Sequence, residues 1–459
     1  MKGLQTYLYY VIIILLLLMT YKSMIMFTIF NDYYIPQNKN KFVKNMYAQN
    51  NFYNQKYTPF FKKYKECTDE TFIKLPYLTK DELIQYNDDI ISPPYKKCKL
   101  TCTNSCFFDP VFFDTTCSVG QSTGGTSGKS TFVWMNRYES IMYMYTFITS
   151  FKKNGYRYGD KIMIYYPAKS YFTGEYIKSN FYLTMLINLY FKSFSKIDKA
   201  TTIDFVNSIN QNRPDLIVVF PFVLLQLCIN INKYKLKLTH YPRNINLSGE
   251  YLLNCSLTFC KNTFIGSNIE NTYGAVEFGE IAHQIKDNKN TYEVFNQFCY
   301  LENKGNNIVV TSLINNTFPI IRYVMEDIGT IVNKDGKQYI TNLIGKSTNQ
   351  IILNNSKFTS LDVDNLIDYV NISDNIISIV IKYDNTSIEI NYIVYQNYNQ
   401  YDQETIIEKT YLFMTKFFSN INFNIKFIQN YEHDYLKKFK IIIKHDNTDS
   451  EPVGGYYKY

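Results

Sequence analysis

The 459-residue sequence predicts an α/β body followed by a smaller α+β unit, and three observations carry that reading. Short apolar runs, Lys161–Tyr166 (K-I-M-I-Y-Y) and Leu216–Phe220 (L-I-V-V-F), are each preceded by a G-D or R-P-D turn. They read as buried strands that alternate with helix-compatible segments, the pattern of an α/β sheet. A ten-residue stretch, Ser122–Thr131 (S-T-G-G-T-S-G-K-S-T), holds three glycines, six hydroxyl residues and one lysine and no apolar side chain. After Gly345 the texture changes to a β-β-α-β run, which places a boundary near Lys346. The length suits more than one domain at about 150 residues each.

The elements follow in chain order. Tyr7–Met19 is unbroken apolar sequence, and with Lys22 as the only charge it extends to Phe30. The extended segment is long enough to cross a bilayer if Lys22 snorkels. A cleaved signal peptide is the rival reading, but no small-residue cleavage site follows. Lys39, Lys41, Lys44 and Lys56 downstream against Lys2 upstream place the body in the cytosol, so residues 1–30 are read as a membrane anchor. Residues 31–70 are polar and aromatic without a clear period and read as a tether. In Lys74–Glu82, Pro76 breaks an extended segment, and Thr79 followed by Asp81 and Glu82 starts a helix with acid in its first turn. The body is therefore set at 71–346 and the small unit at 347–459.

Phe107–Thr116 leads into the glycine-rich loop, and Trp134–Phe151 after it has helical length. Glycines allow close backbone approach, and N–H groups, hydroxyls and one ammonium together make a polyphosphate site. A Walker loop is excluded by spacing, because the glycine it needs five residues before Gly128 is Thr123. A flexible linker is the competing reading. The placement of the loop between an extended segment and a helix favours the anion site.

Phe222–Ile231 reads as the helix after the second buried strand. Asn244–Glu250 gives a short strand ending in S-G-E, and Asn271–Glu277 reads N-T-Y-G-A-V-E. Loops at strand ends are where open α/β sheets hold ligands. Pro319–Gly329 (P-I-I-R-Y-V-M-E-D-I-G) is an apolar strand with an arginine and a carboxylate at its end. The Asp335-Gly336 turn joins Ile328–Val332 to Gln338–Leu343 as a hairpin. Strands at Ile376–Lys382, Ser387–Tyr395 and Asn422–Ile428, with a helix over Asp402–Phe418, make the small unit.

Composition narrows the function classes. The net charge is +8, with 38 basic and 26 acidic residues up to Lys346 and 10 against 14 from Ser347 onward. No basic run is interleaved with aromatics in the nucleic-acid manner, so no such partner is expected. Nine cysteines scattered over a long chain do not read as a disulfide framework. Cys98, Cys102 and Cys106, four apart, read as buried or free thiols on one helix face rather than zinc ligands. The four histidines, His240, His283, His433 and His445, lack matching serine or carboxylate motifs, which argues against a histidine-based hydrolase.

Five segments in this order resemble adenylate-forming (AMP-binding) enzymes, in particular the branch of phenylacetate-coenzyme A ligase and the capsule-biosynthesis adenylating proteins. S-T-G-G-T-S-G-K-S-T is similar to that family's S-S-G-T-T-G-K-P-T phosphate loop, and L-P-Y-L-T-K-D-E-L to its L-P-x-x-x-K-x-x-L. Y-G-A-V-E-F-G-E-I-A resembles Y-G-[AS]-[ST]-E-x-G, P-I-I-R-Y-V-M-E-D resembles P-x-I-R-Y-x-x-x-D, and L-I-G-K-S-T-N resembles the hinge G-R-x-D-D. The match is clear over residues 70–350 and weak beyond.

The resemblance implies a large multi-layer N-terminal domain with a small mobile C-terminal domain, and ATP-dependent conversion of a carboxylic acid to an acyl-AMP, with transfer to coenzyme A or another nucleophile. It implies that Ser122, Thr123, Gly124, Gly125, Thr126, Ser127, Gly128 and Lys129 hold the β and γ phosphates. Glu277 would ligate Mg²⁺, Tyr273 and Gly274 would meet adenine, Gly249 and Glu250 would border its pocket, Asp327 would bind the ribose hydroxyls and Lys346 would stand at the hinge. Val219–Leu225 would help wall the acyl pocket. The chain departs from the pattern at Val276, where a hydroxyl residue is usual, at Lys346 for arginine, at Asn349 near the hinge aspartate, and at Tyr456, which aligns with the late catalytic lysine. Lys458, two residues on, is the candidate for that role. These departures define the alternative, a catalytically impaired nucleotide-binding relative.

Overall fold

The computed structural model describes residues 38–101, 117–122, 132–167, 188–286, 288–346, 350–370, 375–395, 399–419, 421–429 and 439–444. The apolar segment Tyr7–Phe30, loop residues 123–131, Asn349, Tyr456 and Lys458 lie outside them. Among the described residues, no helix is long and apolar enough to cross a membrane.

The stretch expected as a tether is largely helical. Helices α1 (Lys39–Gln49) and α2 (Asn51–Tyr64) bury Phe42, Val43 and Met46, and Tyr53, Tyr57 and Phe60. Those spacings put each set on one helix face, so the segment belongs to the packed body rather than leading into it. Asn50 ends α1, and its side chain caps α2 by accepting from Tyr53 N at 3.2 Å. The Tyr53 hydroxyl then reaches the Pro319 carbonyl at 2.7 Å.

After α3 (Asp69–Phe72), α4 (Lys80–Gln85) starts where the sequence placed it. Thr79 Oγ1 accepts from Glu82 N at 3.2 Å and Glu82 Oε2 from Thr79 N at 2.9 Å, a reciprocal cap worth about 1 kcal/mol. α5 (Asn87–Ile90) leads to a three-stranded sheet of β1 (Cys98–Thr101), β2 (Cys117–Ser122) and β3 (Phe132–Met135). Cys98 thus opens a strand and not a helix. The glycine-rich loop joins β2 to β3, which pair antiparallel with Ser122 opposite Phe132. This corrects the expectation of a helix directly after the loop: Trp134 is a strand residue whose ring covers Gly120, where a Cβ would come within 2.8 Å of it. The helix, α6 (Arg137–Lys153), begins only after the Asn136 cap.

The largest sheet has eleven strands in the order β11-β12-β13-β14-β10-β9-β8-β7-β6-β4-β5. One half is parallel: β4 (Ile162–Pro167), β5 (Leu189–Phe194), β6 (Leu216–Val219), β7 (Asn244–Ser248) and β8 (Asn268–Ala275), connected in part by α7 (Lys199–Asn212), α8 (Pro221–Lys233) and α9 (Asn254–Thr263). Every residue of β4 and β6 is buried, as a strand covered on both faces requires. Met163, Tyr165, Ile217 and Val219 face the cluster under α7–α9, while Ile162, Ile164, Tyr166, Leu216 and Val218 face the one that holds Phe151 of α6.

The other half is antiparallel: β9 (Gly279–Ile285), β10 (Asn288–Val294), β11 (Cys299–Lys304), β12 (Asn307–Ser312), β13 (Tyr323–Lys334) and β14 (Lys337–Lys346). β13 and β14 form the expected hairpin around Asp335-Gly336. Arg322, expected within the strand, precedes it at φ +53° and is buried. It pairs with Glu302 at 3.0 Å, donates to the Leu75 carbonyl and lies 4.2 Å over the Tyr77 ring, so it anchors the L-P-Y-L-T-K segment to the sheet.

Beyond Lys346 come the hairpin β15 (Gln350–Leu353) and β16 (Ser356–Thr359), helix α10 (Ser360–Val370), β17 (Ile376–Tyr383), β18 (Ser387–Val394), α11 (Gln400–Met414), β19 (Asn422–Ile428) and β20 (Ile442–Lys444). Four of these strands form a separate sheet ordered β19-β18-β17-β20. The architecture is therefore α/β with a smaller α+β part after the large sheet. The two meet at α9, whose N-terminus has no cap of its own. Asp364 of α10 supplies one, accepting from Asn254 N at 2.8 Å and from the Tyr251 hydroxyl at 2.6 Å.

Candidate functional site

The C-terminal ends of β7 and β8 and the open end of the β13–β14 hairpin converge on one place. Tyr273, near the end of β8, donates its hydroxyl to Asp327 Oδ2 at 2.9 Å. These residues sit on strands four positions apart in the sheet, about 19 Å if the sheet were flat, so the antiparallel half must curl back over the end of β8. Asp327 pairs in register with Lys346, which brings that lysine to the same place.

Glu277 sits in the turn between β8 and β9. Burial pushes its carboxyl above the usual range, Lys346 and Lys80 act against that shift, and Asp327 adds to it. Burial, reinforced by Asp327, also holds the Tyr273 phenol well above its ordinary value, so it remains a neutral donor. Glu326, beside Asp327, binds Lys346 Nζ at 3.2 Å and Lys80 Nζ at 3.5 Å. Although desolvation works against ionisation, these two lysines hold its carboxyl below the ordinary range. Tyr323 completes the cluster, its phenol raised by burial and by the three carboxylates.

The tight β8–β9 turn dictates glycine. A Cβ on Gly274 would lie 2.6 Å from the Gly279 carbonyl and 2.9 Å from Glu280 Oε2. At Gly279, φ is +74° and a Cβ would lie 2.4 Å from Thr146 Oγ1. Glu280 is buried, bonded by Ser248 Oγ at 3.3 Å, and desolvation raises its pKa to about 7.

Gly249 follows β7 at φ +90°. The Glu250 carboxylate accepts from Phe222 N at 3.3 Å, in the first turn of α8, and from Phe439 N at 2.9 Å. The Phe439 ring stacks on Phe222 at 3.8 Å, so the edge of the expected acyl wall is covered by residues from the C-terminal part. Glu250 thus caps α8, whose own N-cap is Phe220.

The structure brings together Gly249, Glu250, Tyr273, Gly274, Glu277, Asp327 and Lys346, of the residues singled out in the sequence. Ser122 ends β2; Thr123, Gly124, Gly125, Thr126, Ser127, Gly128, Lys129 and Lys458 are outside the described residues. Lys80, Glu326 and Tyr323 were not singled out, although Lys80 lies in the quoted L-P-Y-L-T-K motif and the other two flank Asp327 in sequence. Among the described residues no cluster of three side chains is arranged to hold a metal. One half-buried carboxylate, Glu277, fits a hard cation only if other oxygens, such as phosphate, complete its shell. The arrangement can bind a polar ligand carrying hydroxyls at Asp327 and anionic groups near the lysines.

No family model matches the chain, and no curated protein matches it in sequence. Among solved structures, the chain resembles 2-hydroxyisobutyryl-CoA ligase in the postadenylation state in complex with R3-HIB-AMP, with a TM-score of 0.64 at 12% identity over 88% of both chains. It resembles the same ligase in that state with 2-HIB-AMP at a TM-score of 0.63 and 12% identity over 88% of both chains. An open conformation with 2-HIB-AMP and CoA gives 0.51 at 12% identity, over 89% of this chain and 90% of that one. The fold is that of the adenylate-forming ligases.

Proposed function

We propose that a chain with this fold and this site activates a carboxylic acid with ATP, in the manner of the phenylacetate-coenzyme A ligase and capsule-biosynthesis branch that its motifs resemble. The observation that carries the reading is that Asp327 and Lys346, from the antiparallel half of the sheet, meet Tyr273 and Glu277 at the C-terminal end of the parallel strand β8. In the reaction, a carboxylate oxygen of the acid attacks the α-phosphorus, the bond to the bridging oxygen of the β-phosphate breaks, and pyrophosphate leaves. A thiol or other nucleophile then attacks the acyl carbon, and AMP leaves as the nucleophile loses its proton.

The chain's own residues bind and orient. Asp327 accepts from the ribose hydroxyls, with its carboxylate aimed by the Tyr273 phenol. Adenine lies between Tyr273 and the Gly249–Glu250 edge. Lys129 and the hydroxyls of Thr126 and Ser127 offset the leaving phosphate charge, and Lys458 approaches the α-phosphate. Mg²⁺, held by Glu277 and nucleotide oxygens, would neutralise phosphate charge. The boundary near Lys346 serves as the hinge about which residues 347–459 move between the two steps, coenzyme A being the favoured acceptor. Residues 1–30 anchor the protein in a membrane with the body in the cytosol. This is supported by the apolar run and by the lysines that follow it.

Pyrophosphate exchange into ATP, dependent on one member of a panel of carboxylic acids, tests the reaction; silence across a broad panel with folded protein counts against it. Deleting residues 1–30 should move the protein from the membrane pellet to the soluble fraction, and a full-length protein already soluble at low salt refutes the anchor.

A further inference from the structure

The loop that carries Gly249 and Glu250 is held from both parts of the chain. It runs from Gly249, at φ +90°, to Asn254, the first residue of α9. On the body side the Glu250 carbonyl accepts from Asn271 Nδ2 at 3.3 Å, and the Glu250 carboxylate accepts from Phe222 N. Asn271 stands two residues before Tyr273 on β8 and so on the same face of that strand.

The C-terminal part grips the same loop along its length. Phe439 N donates to Glu250 Oε1 at 2.9 Å. Asp364, itself buried, takes the Tyr251 hydroxyl on Oδ2 at 2.6 Å and Asn254 N on Oδ1 at 2.8 Å, so one carboxylate pins both ends of Tyr251–Asn254. Leu253, between them, is buried in the apolar core that the C-terminal part builds from Val363, Leu366 and Ile379. Just inside α9, Ser256 Oγ donates to the Ile377 carbonyl at 2.6 Å.

Ordering a loop costs conformational entropy, and here the bonds that offset it come largely from a residue 110 to 113 positions further on. Withdrawing the C-terminal part would expose Leu253, remove the cap of α9 and release Tyr251 in one event. Glu250, next to Tyr251, would lose its bond to Phe439 at the same time.

We infer that Asp364 is a positioning residue for the nucleotide: through Tyr251 and Asn254 it holds the Gly249–Glu250 edge against which adenine lies, so that the docked C-terminal part preorganises the pocket and its departure loosens it. The inference rests on the function proposed above and adds to it a coupling between the position of residues 347–459 and nucleotide affinity.

Calorimetry with ATP and amide hydrogen exchange, both on the full chain, test it. In Asp364→Ala the amides of residues 249–254 are expected to exchange faster while those of β7 and β8 keep their protection. ATP affinity is expected to fall about tenfold or more, because two bonds to a carboxylate are lost and the nucleotide must order the loop itself. Asp364→Asn keeps an acceptor oxygen and should stay within about threefold of the wild type. A cap of purely structural use would lower the melting temperature of Asp364→Ala and leave the ATP affinity of the folded protein unchanged. If Asp364→Ala fails to fold, Tyr251→Phe, which removes one of the two bonds, is read in its place with the same directions expected. Unchanged protection of residues 249–254, or unchanged ATP affinity in a folded variant whose loop is loosened, overturns the assignment. Wild-type protein that binds no ATP overturns the function proposed above and the coupling with it, while the exchange data still decide whether Asp364 holds the loop.

Discussion

The Tyr273 hydroxyl donates to Asp327 Oδ2 at 2.9 Å, joining β8 to β13 across strands that are not neighbours in the sheet. If Asp327 holds the ribose, this bond sets its carboxylate in place before the nucleotide arrives. Tyr273→Phe keeps the ring and removes the donor, so ATP affinity measured by calorimetry should fall about ten- to a hundredfold, the worth of one hydrogen bond to a charged group. Asp327→Ala should cost more, because the ribose hydroxyls then lose their acceptor. Equal affinity in the wild type and both variants would remove Asp327 from the nucleotide site.

Glu280 provides a pH test. Its carboxyl titrates near 7 in the folded chain because it is buried, against about 4.5 when unfolded. Below the unfolded value both states are protonated and no difference arises. Between about 4.5 and 7 the unfolded chain ionises first, so stability falls as pH rises, then levels off above 7. Glu280→Gln should abolish that slope and stabilise the protein at pH 8 by about 2–3 kcal/mol, read from denaturation midpoints of the two proteins across pH. A parallel pH profile in both would show that Glu280 ionises normally.

Gly274→Ala forces a Cβ against the Gly279 carbonyl and Glu280 in the turn that positions Glu277. Destabilisation of about 1–3 kcal/mol is expected in a denaturant titration. No change would mean that the turn opens freely.

Arg322 and Glu302 form a buried pair that also carries the L-P-Y-L-T-K segment. Glu302→Ala leaves a buried guanidinium without its counter-ion and should cost about 3–5 kcal/mol by chemical denaturation. A loss under 1 kcal/mol, the worth of an exposed pair, would show that water reaches the site.

Much of the fold was legible because its signals are local. Thr79 with Glu82, the R-P-D turn ahead of Leu216 and Asp335-Gly336 each mark a boundary within a few residues, and all appear where expected. Residues 39–64 were less legible because their buried face is built from Tyr53, Tyr57 and other aromatics in a background of Asn and Lys, which blurs the apolar period. Within the site, Tyr273, Glu277 and Asp327 were readable only through ordered motifs. Their meeting depends on the curl of the antiparallel half, a long-range property that no window of sequence contains. Lys80 reaches Glu326 from almost 250 residues away, and nothing local in the motif announces that pairing. Glu250 was read as a ligand-pocket residue, and its carboxylate also caps a helix whose own cap position is a phenylalanine.

The measurement closest to the central claim compares ATP–pyrophosphate exchange with ATP binding in the wild type and in Glu277→Gln. Wild-type protein should exchange label in the presence of Mg²⁺ and one carboxylic acid of the panel. Glu277→Gln should lower that exchange by about 10² or more while binding ATP nearly as well in the absence of the metal, because its carboxylate matters to the charge that develops on the phosphates. Tight ATP binding by the wild type with no exchange for any acid, and no difference in Glu277→Gln, would contradict adenylation and mark the chain as a nucleotide-binding protein without the chemistry.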